Sequence, residues 1–358
     1  MLIDDASRIL ALLRSSKLAN VAGHPVVIRS SLSPDLAPVR REPRLKLLLA
    51  FAAIYLIWGS TYLGIRYAVE TIPPLCMMGI RHLTAGVVLY AWVRARGAAA
   101  PTVKHWGYAA VAGVLLFLGG HGSLAWAEQR VPSGLAALLS ATLPLWVVVL
   151  GRMVGSEQRL HWQVITGVLL GFAGVALLTG WSGFGSGSTL EWLSAGAVLL
   201  ATFLWAAGTM YVHRVPLPGD SVLSSAMQMV FGGATLLAAG GLSGEIARFH
   251  VTAMTMKSML SLAYLIVFGS LVAFTAFTWL NRASTPTRVS TYAYVNPVVA
   301  VLLGWVFAGE PIGWRTLVAM PIILSGVALV NRGRRRSPTS QEERMRVGNQ
   351  MLQTGENC

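Results

Sequence analysis

Residues 144–157 read PLWVVVLGRMVGSE, and residues 297–310 read PVVAVLLGWVFAGE. Each stretch opens on a proline inside an apolar run and closes on a glutamate just past its end. Pro144 with Pro297, and Glu157 with Glu310, are both 153 positions apart (297 − 144 and 310 − 157). A spacing repeated within one chain points to duplication, and a duplicated membrane-spanning unit sets two similar halves against each other. Trp126 and Trp279 share the offset of 153, while Trp162 with Trp314, and GVAL at 174–177 with GVAL at 326–329, share 152. Nearer the start of each half the offset is 147, pairing Trp58 with Trp205, Arg81 with Gln228 and Gly86 with Gly233. Small differences in loop length account for the drift.

Composition sets the class. The chain is 54% hydrophobic and 12% charged over 358 residues, with a mean hydropathy of +0.61, too apolar for a soluble domain. Its apolar runs are each roughly 18–23 residues, the length a helix rising about 1.5 Å per residue needs to cross about 30 Å of hydrocarbon. The sequence predicts ten spans: Leu47–Ile65, Leu75–Val93, Trp106–Ala127, Ser133–Val154, Trp162–Gly180, Leu190–Val212, Val222–Gly241, Ser258–Leu280, Val289–Ala308 and Trp314–Val330. Five per half is odd, so the halves enter the membrane in opposite senses, and a pseudo-twofold axis in the membrane plane follows. The expected organisation is an extension over 1–44, a first five-helix repeat over 45–181, a second over 190–331 and a polar tail over 332–358.

Positive charge near span ends is held on the cytoplasmic side. Arg40, Arg41, Arg44, Lys46, Arg94, Arg96, Lys104, Arg152, Arg159, Arg214, Arg282 and Arg288 cluster on the side of both termini, with Arg332 and Arg334 to Arg336 beyond the last span. The other side carries Arg66, Arg130, Arg248, Lys257 and Arg315. Both termini are therefore expected in the cytoplasm. The net charge of +14 follows from topology, with anionic headgroups as an added counter-charge, and a nucleic-acid partner is not needed to explain it. Pro25, Pro34, Pro38 and Pro43 break the extension, which is expected to be disordered, as is the tail. Cys76 and Cys358 fall on opposite sides in this topology, so no disulfide and no metal site is expected.

The string IWGSTYLGIRYAVETIPPLCMMGIRHLTAG at 57–86, the string VPSGLAALLSATLPLWVVVLGRMVGSEQ at 131–158, and their weaker echoes in the second half resemble the EamA-type members of the drug/metabolite transporter superfamily. The resemblance runs from about Leu45 to Asn331. It implies an all-α integral membrane protein of ten helices, two inverted repeats around a central cavity, cytoplasmic termini in a bacterial inner membrane, and export of a small metabolite or toxic compound.

Several residues are candidates to line that cavity. Arg81 lies about 9 Å inside the second span, where a charge is costly unless paired or hydrated, and its guanidinium can hold a carboxylate or phosphate with two parallel bonds. Snorkelling towards Glu70 is the structural alternative. His82 sits about 100° around the helix from Arg81 and is left out of the set. Pro144 and Pro297 kink their spans and free the carbonyls of Ser140 and Ala293, for which water, a side chain or substrate can compete. Asn296 is either a site residue or interhelical glue. Trp58 and Trp205 offer matched flat walls, with packing as the alternative. Gln228 stands opposite Arg81 in the repeat. His121, among Gly119, Gly120 and Gly122, is a candidate proton carrier or a hydrogen-bonded core histidine. Gly167 and Gly171 read as helix packing. Glu157 and Glu310 precede the last helix of each half and are expected to fix that loop through free backbone donors.

No H-E-x-x-H helix, G-x-S-x-G elbow or P-loop occurs, and no interfacial cluster of acids or histidines that a lipid-modifying enzyme would need. The spans as drawn hold no acid at the depth of Arg81, which disfavours proton-coupled export of cations. The expected molecule is a monomeric carrier without cofactor, in contact with lipid and a small-molecule substrate.

Overall fold

Eight helices are long and apolar enough to cross a bilayer, by length and composition, in the computed structural model. It describes residues 44–153, 162–179, 189–284, 289 and 291–335. In chain order the helices are α1 (Arg44–Ala68), α2 (Pro74–Ala95), α3 (Val103–Glu128), α4 (Ser133–Met153), α5 (Trp162–Thr179), α6 (Thr189–Val212), α7 (Ser221–Leu242), α8 (Met256–Leu280), α9 (Tyr292–Ala308) and α10 (Trp314–Arg335). Of these, α5 and α9 are the shorter apolar helices. Among the described residues there is no strand. The extension, Glu157, Arg159, the 180–188 connection, Arg288, the tail from 336 and Cys358 lie outside the described residues.

Local chemistry explains where the helices begin. The Thr102 hydroxyl accepts from the His105 amide while the His105 ring accepts from the Thr102 amide, so two donors at the start of α3 are satisfied reciprocally. Asp220 caps α7 through the amides of Val222 and Leu223, and Thr255 caps α8 through that of Ser258. Two other starts are capped from far away in sequence. Glu245 accepts from the amides of Leu75 and Cys76 at the head of α2 (2.8 and 3.2 Å), and Glu310 accepts from those of Ser133 and Gly134 at the head of α4 (2.7 and 3.0 Å). Glu310 was expected to fix the loop between α9 and α10. It does satisfy free backbone donors, but those of α4, because the fold brings that helix start to the end of α9.

The two kink prolines differ in their effect. The α4 backbone is interrupted by a turn at Ala141 and Thr142, where the Thr142 amide and hydroxyl both donate to the Leu139 carbonyl (3.2 and 2.6 Å) just ahead of Pro144. Pro297 lies inside α9 without interrupting it. Wider π-helical turns occur in α1 (Ala53–Ile57), α3 (Val114–Gly122) and α8 (Leu265–Val272).

Most helix pairs join the first five helices to the last five. The α1 helix packs on α8 and α9, α2 on α7 and α8, α3 on α6 and α7, α4 on α6 and α9, and α5 on α10. In lipid, close packing rather than hydrophobic exclusion holds helices together, so small residues mark the crossings. At the crossing of α2 and α7 a Cβ on Gly86 would lie 2.7 Å from the Val230 nitrogen, and one on Gly233 2.7 Å from the Leu83 Cα. Gly167 and Gly171 lie on the face of α5 that meets Gly326 of α10, as their reading as packing residues requires. Large apolar side chains such as Leu56, Val87, Leu169, Leu200, Leu302 and Leu317 are exposed, the surface a multi-pass membrane protein turns to hydrocarbon. A groove of about 380 Å³ between α4 and α5, lined by Val148, Arg152, Val164 and Leu169, contains none of the candidate residues.

Candidate functional site

Arg81 is 4% exposed, a guanidinium taken out of water in the middle of the bundle. Its Nε donates to the Ser270 hydroxyl at 3.0 Å, and its Nη1 lies 3.9 Å from the Met78 sulfur. Its Nη2 stands 3.1 Å from where a Gly269 Cβ would be, so the absent side chain at 269 makes room for it. Ser270 and Gly269 both belong to the π-helical stretch of α8. Such turns displace backbone from the regular ladder, which is how they recur at functional sites. The snorkelling alternative is not what the geometry has, for Glu70 is taken by Lys257 at 2.5 Å.

Trp58 meets the same stretch. Its indole donates to the Gly269 carbonyl at 3.2 Å, and its ring packs on Phe277 and Tyr292 at centroid distances of 5.0 and 5.3 Å. Its matched residue Trp205 does the equivalent against the π-helical stretch of α3, where its ring lies 4.5 Å from His121 and covers Gly120, whose Cβ would come within 2.9 Å of it. Each tryptophan thus leaves the first helix of one half and lies on the widened turn of the third helix of the other. That correspondence is stronger than the sequence match alone.

His121 Nδ1 approaches His82 Nε2 at 2.8 Å, with the rings 4.8 Å apart and Phe117 beside both. Sequence reasoning left His82 out because it diverges from Arg81, and it does diverge: Arg81 turns to α8 while His82 turns to α3. That divergence is what delivers His82 to the candidate His121. His82 is 1% exposed and its Nδ1 has no hydrogen-bond partner among the described residues.

The remaining candidates spread along the same seam. Ser140 ends the first segment of α4, ahead of the turn at Ala141 and Thr142. Asn296 is 7% exposed, and its amide nitrogen, in the orientation that meets acceptors, donates to the carbonyls of Tyr292 (3.1 Å) and Tyr55 (3.3 Å). This ties α9 to α1, the glue reading. The Tyr55 hydroxyl also meets that of Thr291 at 2.5 Å. Gln228 stays within its own helix, its amide donating to Ser224 at 3.1 Å, so it does not join Arg81 despite their matched positions. Among the described residues no group of three or more His, Cys, Asp and Glu stands ready for a metal.

One acid was missed outright. The third span was drawn to Ala127, but α3 includes Glu128, which is 0% exposed. It is the last residue of α3 and adds an enclosed acid that the spans as drawn left out. Arg66 donates to the Glu128 backbone carbonyl at 2.6 Å, and neither carboxylate oxygen has a hydrogen-bond partner among the described residues.

The sequence matches the EamA-like transporter family over residues 45–180 and 192–332. The uncharacterized inner membrane transporter YedA of Escherichia coli (strain K12) is 38% identical over 301 residues, covering 83% of this chain and 94% of that protein. The uncharacterized transporter YvbV of Bacillus subtilis (strain 168) is 27% identical over 297 residues, covering 82% and 94%. A solved crystal structure superimposes with a TM-score of 0.54 at 20% identity, covering 80% of this chain and 96% of that one, which speaks for the fold alone. Family match, relatives and apolar helices agree: this chain is a multi-pass membrane protein that belongs to the EamA-like transporter family of the drug/metabolite transporter superfamily.

Proposed function

We propose that the chain is a secondary transporter of a bacterial cytoplasmic membrane, exporting or exchanging a small amino-acid-like metabolite by alternating access. Its ten helices form two inverted repeats, 45–181 and 190–331, that rock about a central cavity, with both termini in the cytoplasm. The observation that carries this reading is the pairing scheme of the helices. Exchanging each of α1 to α5 for its counterpart five helices later turns α1–α8 into α6–α3, α1–α9 into α6–α4 and α2–α8 into α7–α3, while α2–α7, α4–α9 and α5–α10 map onto themselves. These pairings exchange among themselves as a twofold relation between the halves would have them, although α4 also meets α10 and α1 meets α4 without counterparts of similar extent; a seam with two similar ways to open is what alternating access needs.

In this reading Arg81 receives the substrate carboxylate, with Ser270 holding the guanidinium in place. Trp58 and Trp205 wall the cavity, and His121, Ser140, Gln228 and Asn296 line it. Purified protein in liposomes loaded with a mixture of labelled L-amino acids tests the assignment. Arg81→Ala is expected to lower exchange at least tenfold while Arg81→Lys retains part of it; equal rates in Arg81→Ala and wild type would dispose of the anion role. A carrier of lipophilic toxic compounds, the competing reading, would keep its flux in that variant.

A further inference from the structure

One acid ends α3 and another caps the start of α4, the next helix, and their circumstances are opposite. Glu310 has both carboxylate oxygens engaged by the amides of Ser133 and Gly134. Glu128 has neither oxygen engaged among the described residues, although the residue is fully enclosed. The charges acting on Glu128 are those of Glu310, of Arg66 on α1 and of Arg81 on α2, and the Tyr62 phenol of α1 lies within the same range. Arg66 donates to the backbone carbonyl of Glu128 and Arg81 to the Ser270 hydroxyl, so neither arginine donates to the carboxylate.

An ionised carboxylate without donors inside a protein is heavily penalised, and a second acid alongside adds to the cost. A positive ligand would relieve it. A substrate ammonium needs space beside the carboxylate, whereas at 0% exposure no water-sized sphere touches Glu128. A proton needs no space. We propose that Glu128 is a proton-binding site, and that taking up and giving back this proton couples the rocking of the two halves to the proton gradient. The step balances simply: a proton from the water at the open face bonds to a carboxylate oxygen, giving the neutral acid that can be enclosed. Reopening returns the proton to water and restores the carboxylate. The coupling half of this proposal rests on the carrier reading above; the proton site does not.

Infrared difference spectroscopy of the chain in lipid vesicles, stepped between alkaline and acidic buffer, reads the site directly. Wild type is expected to show the carbonyl band of a buried protonated carboxylic acid, Glu128→Gln to lose it, and Glu310→Gln to keep it. Glu128→Asp, which retains an acid, is expected to keep a displaced band, so a poorly folding amide variant does not leave the matter open. A band undiminished in Glu128→Gln, or no such band in wild type, overturns the proposal. Vesicles with an imposed pH gradient and labelled L-amino acids read the coupling: wild-type flux follows the gradient, and Glu128→Gln flux is indifferent to it. If wild type moves no amino acid, the carrier reading fails while the infrared band still decides the proton site; if both fluxes follow the gradient equally, coupling through Glu128 is refuted.

Discussion

Replacing Glu310 by alanine removes the acceptor for two amides at the head of α4. The Ser133 amide donates to Oε1 at 2.7 Å and the Gly134 amide to Oε2 at 3.0 Å, and Ser133 is fully buried. Leaving a buried donor unsatisfied costs about 1–3 kcal/mol, so two such donors put the loss at roughly 4 kcal/mol. A glutamine keeps one acceptor oxygen and loses the charge, so it should cost about half as much, roughly 2 kcal/mol. Taking about 2 °C per kcal/mol, the low end expected for a chain of this size, the alanine variant should unfold roughly 8 °C below wild type and the glutamine variant roughly 4 °C below. The assay is thermal unfolding of the purified protein in detergent, followed by tryptophan emission. Ser133→Ala is the internal contrast: it leaves both amides in place and removes a buried hydroxyl that has no partner, so it should be neutral or slightly stabilising. An alanine variant within about 1 °C of wild type would refute the capping argument. Equal losses for alanine and glutamine would show that charge, not acceptor geometry, is what matters.

Two further expectations concern packing along the seam. Gly233→Ala places a methyl 2.7 Å from the Leu83 Cα on the facing helix, where backbone rather than a flexible side chain must give way. It should cost about 1–3 kcal/mol by overpacking, read as a lowered unfolding midpoint, whereas Gly107→Ala, with nothing within 4 Å, should not. Trp58→Phe keeps the ring contacts with Phe277 and Tyr292 but drops the indole bond to the Gly269 carbonyl, at a cost of about 0.5–1.5 kcal/mol. Trp58→Ala should cost distinctly more, and equal midpoints for the two variants would mean the ring contacts hold nothing.

That this is a helical membrane protein was readable from residue order alone, because apolar run length and scarcity of charge are set by the solvent each segment must enter, whatever its neighbours. The sequence also marked residues whose chemistry is awkward in lipid, Arg81 above all, and glycines such as Gly86 and Gly233 that proved to sit where two helices touch. What it left open was who meets whom. The 100° between Arg81 and His82 was readable, but that one arm reaches Ser270 and the other His121 depends on which helices flank α2. Gln228 matches Arg81 in the repeat yet turns to Ser224 of its own helix, since equivalent positions need not carry equivalent contacts. Glu310 was legible as a capping acid, but the helix it caps lies 176 and 177 positions back along the chain. Glu128 lies one residue beyond the third span because a hydropathy boundary falls where charge begins, and only the packing of neighbouring helices encloses it. A free-energy preference for lipid is local and can be read from composition, whereas pairing and enclosure are set by distances between segments far apart in sequence, and these exist only once the bundle has formed.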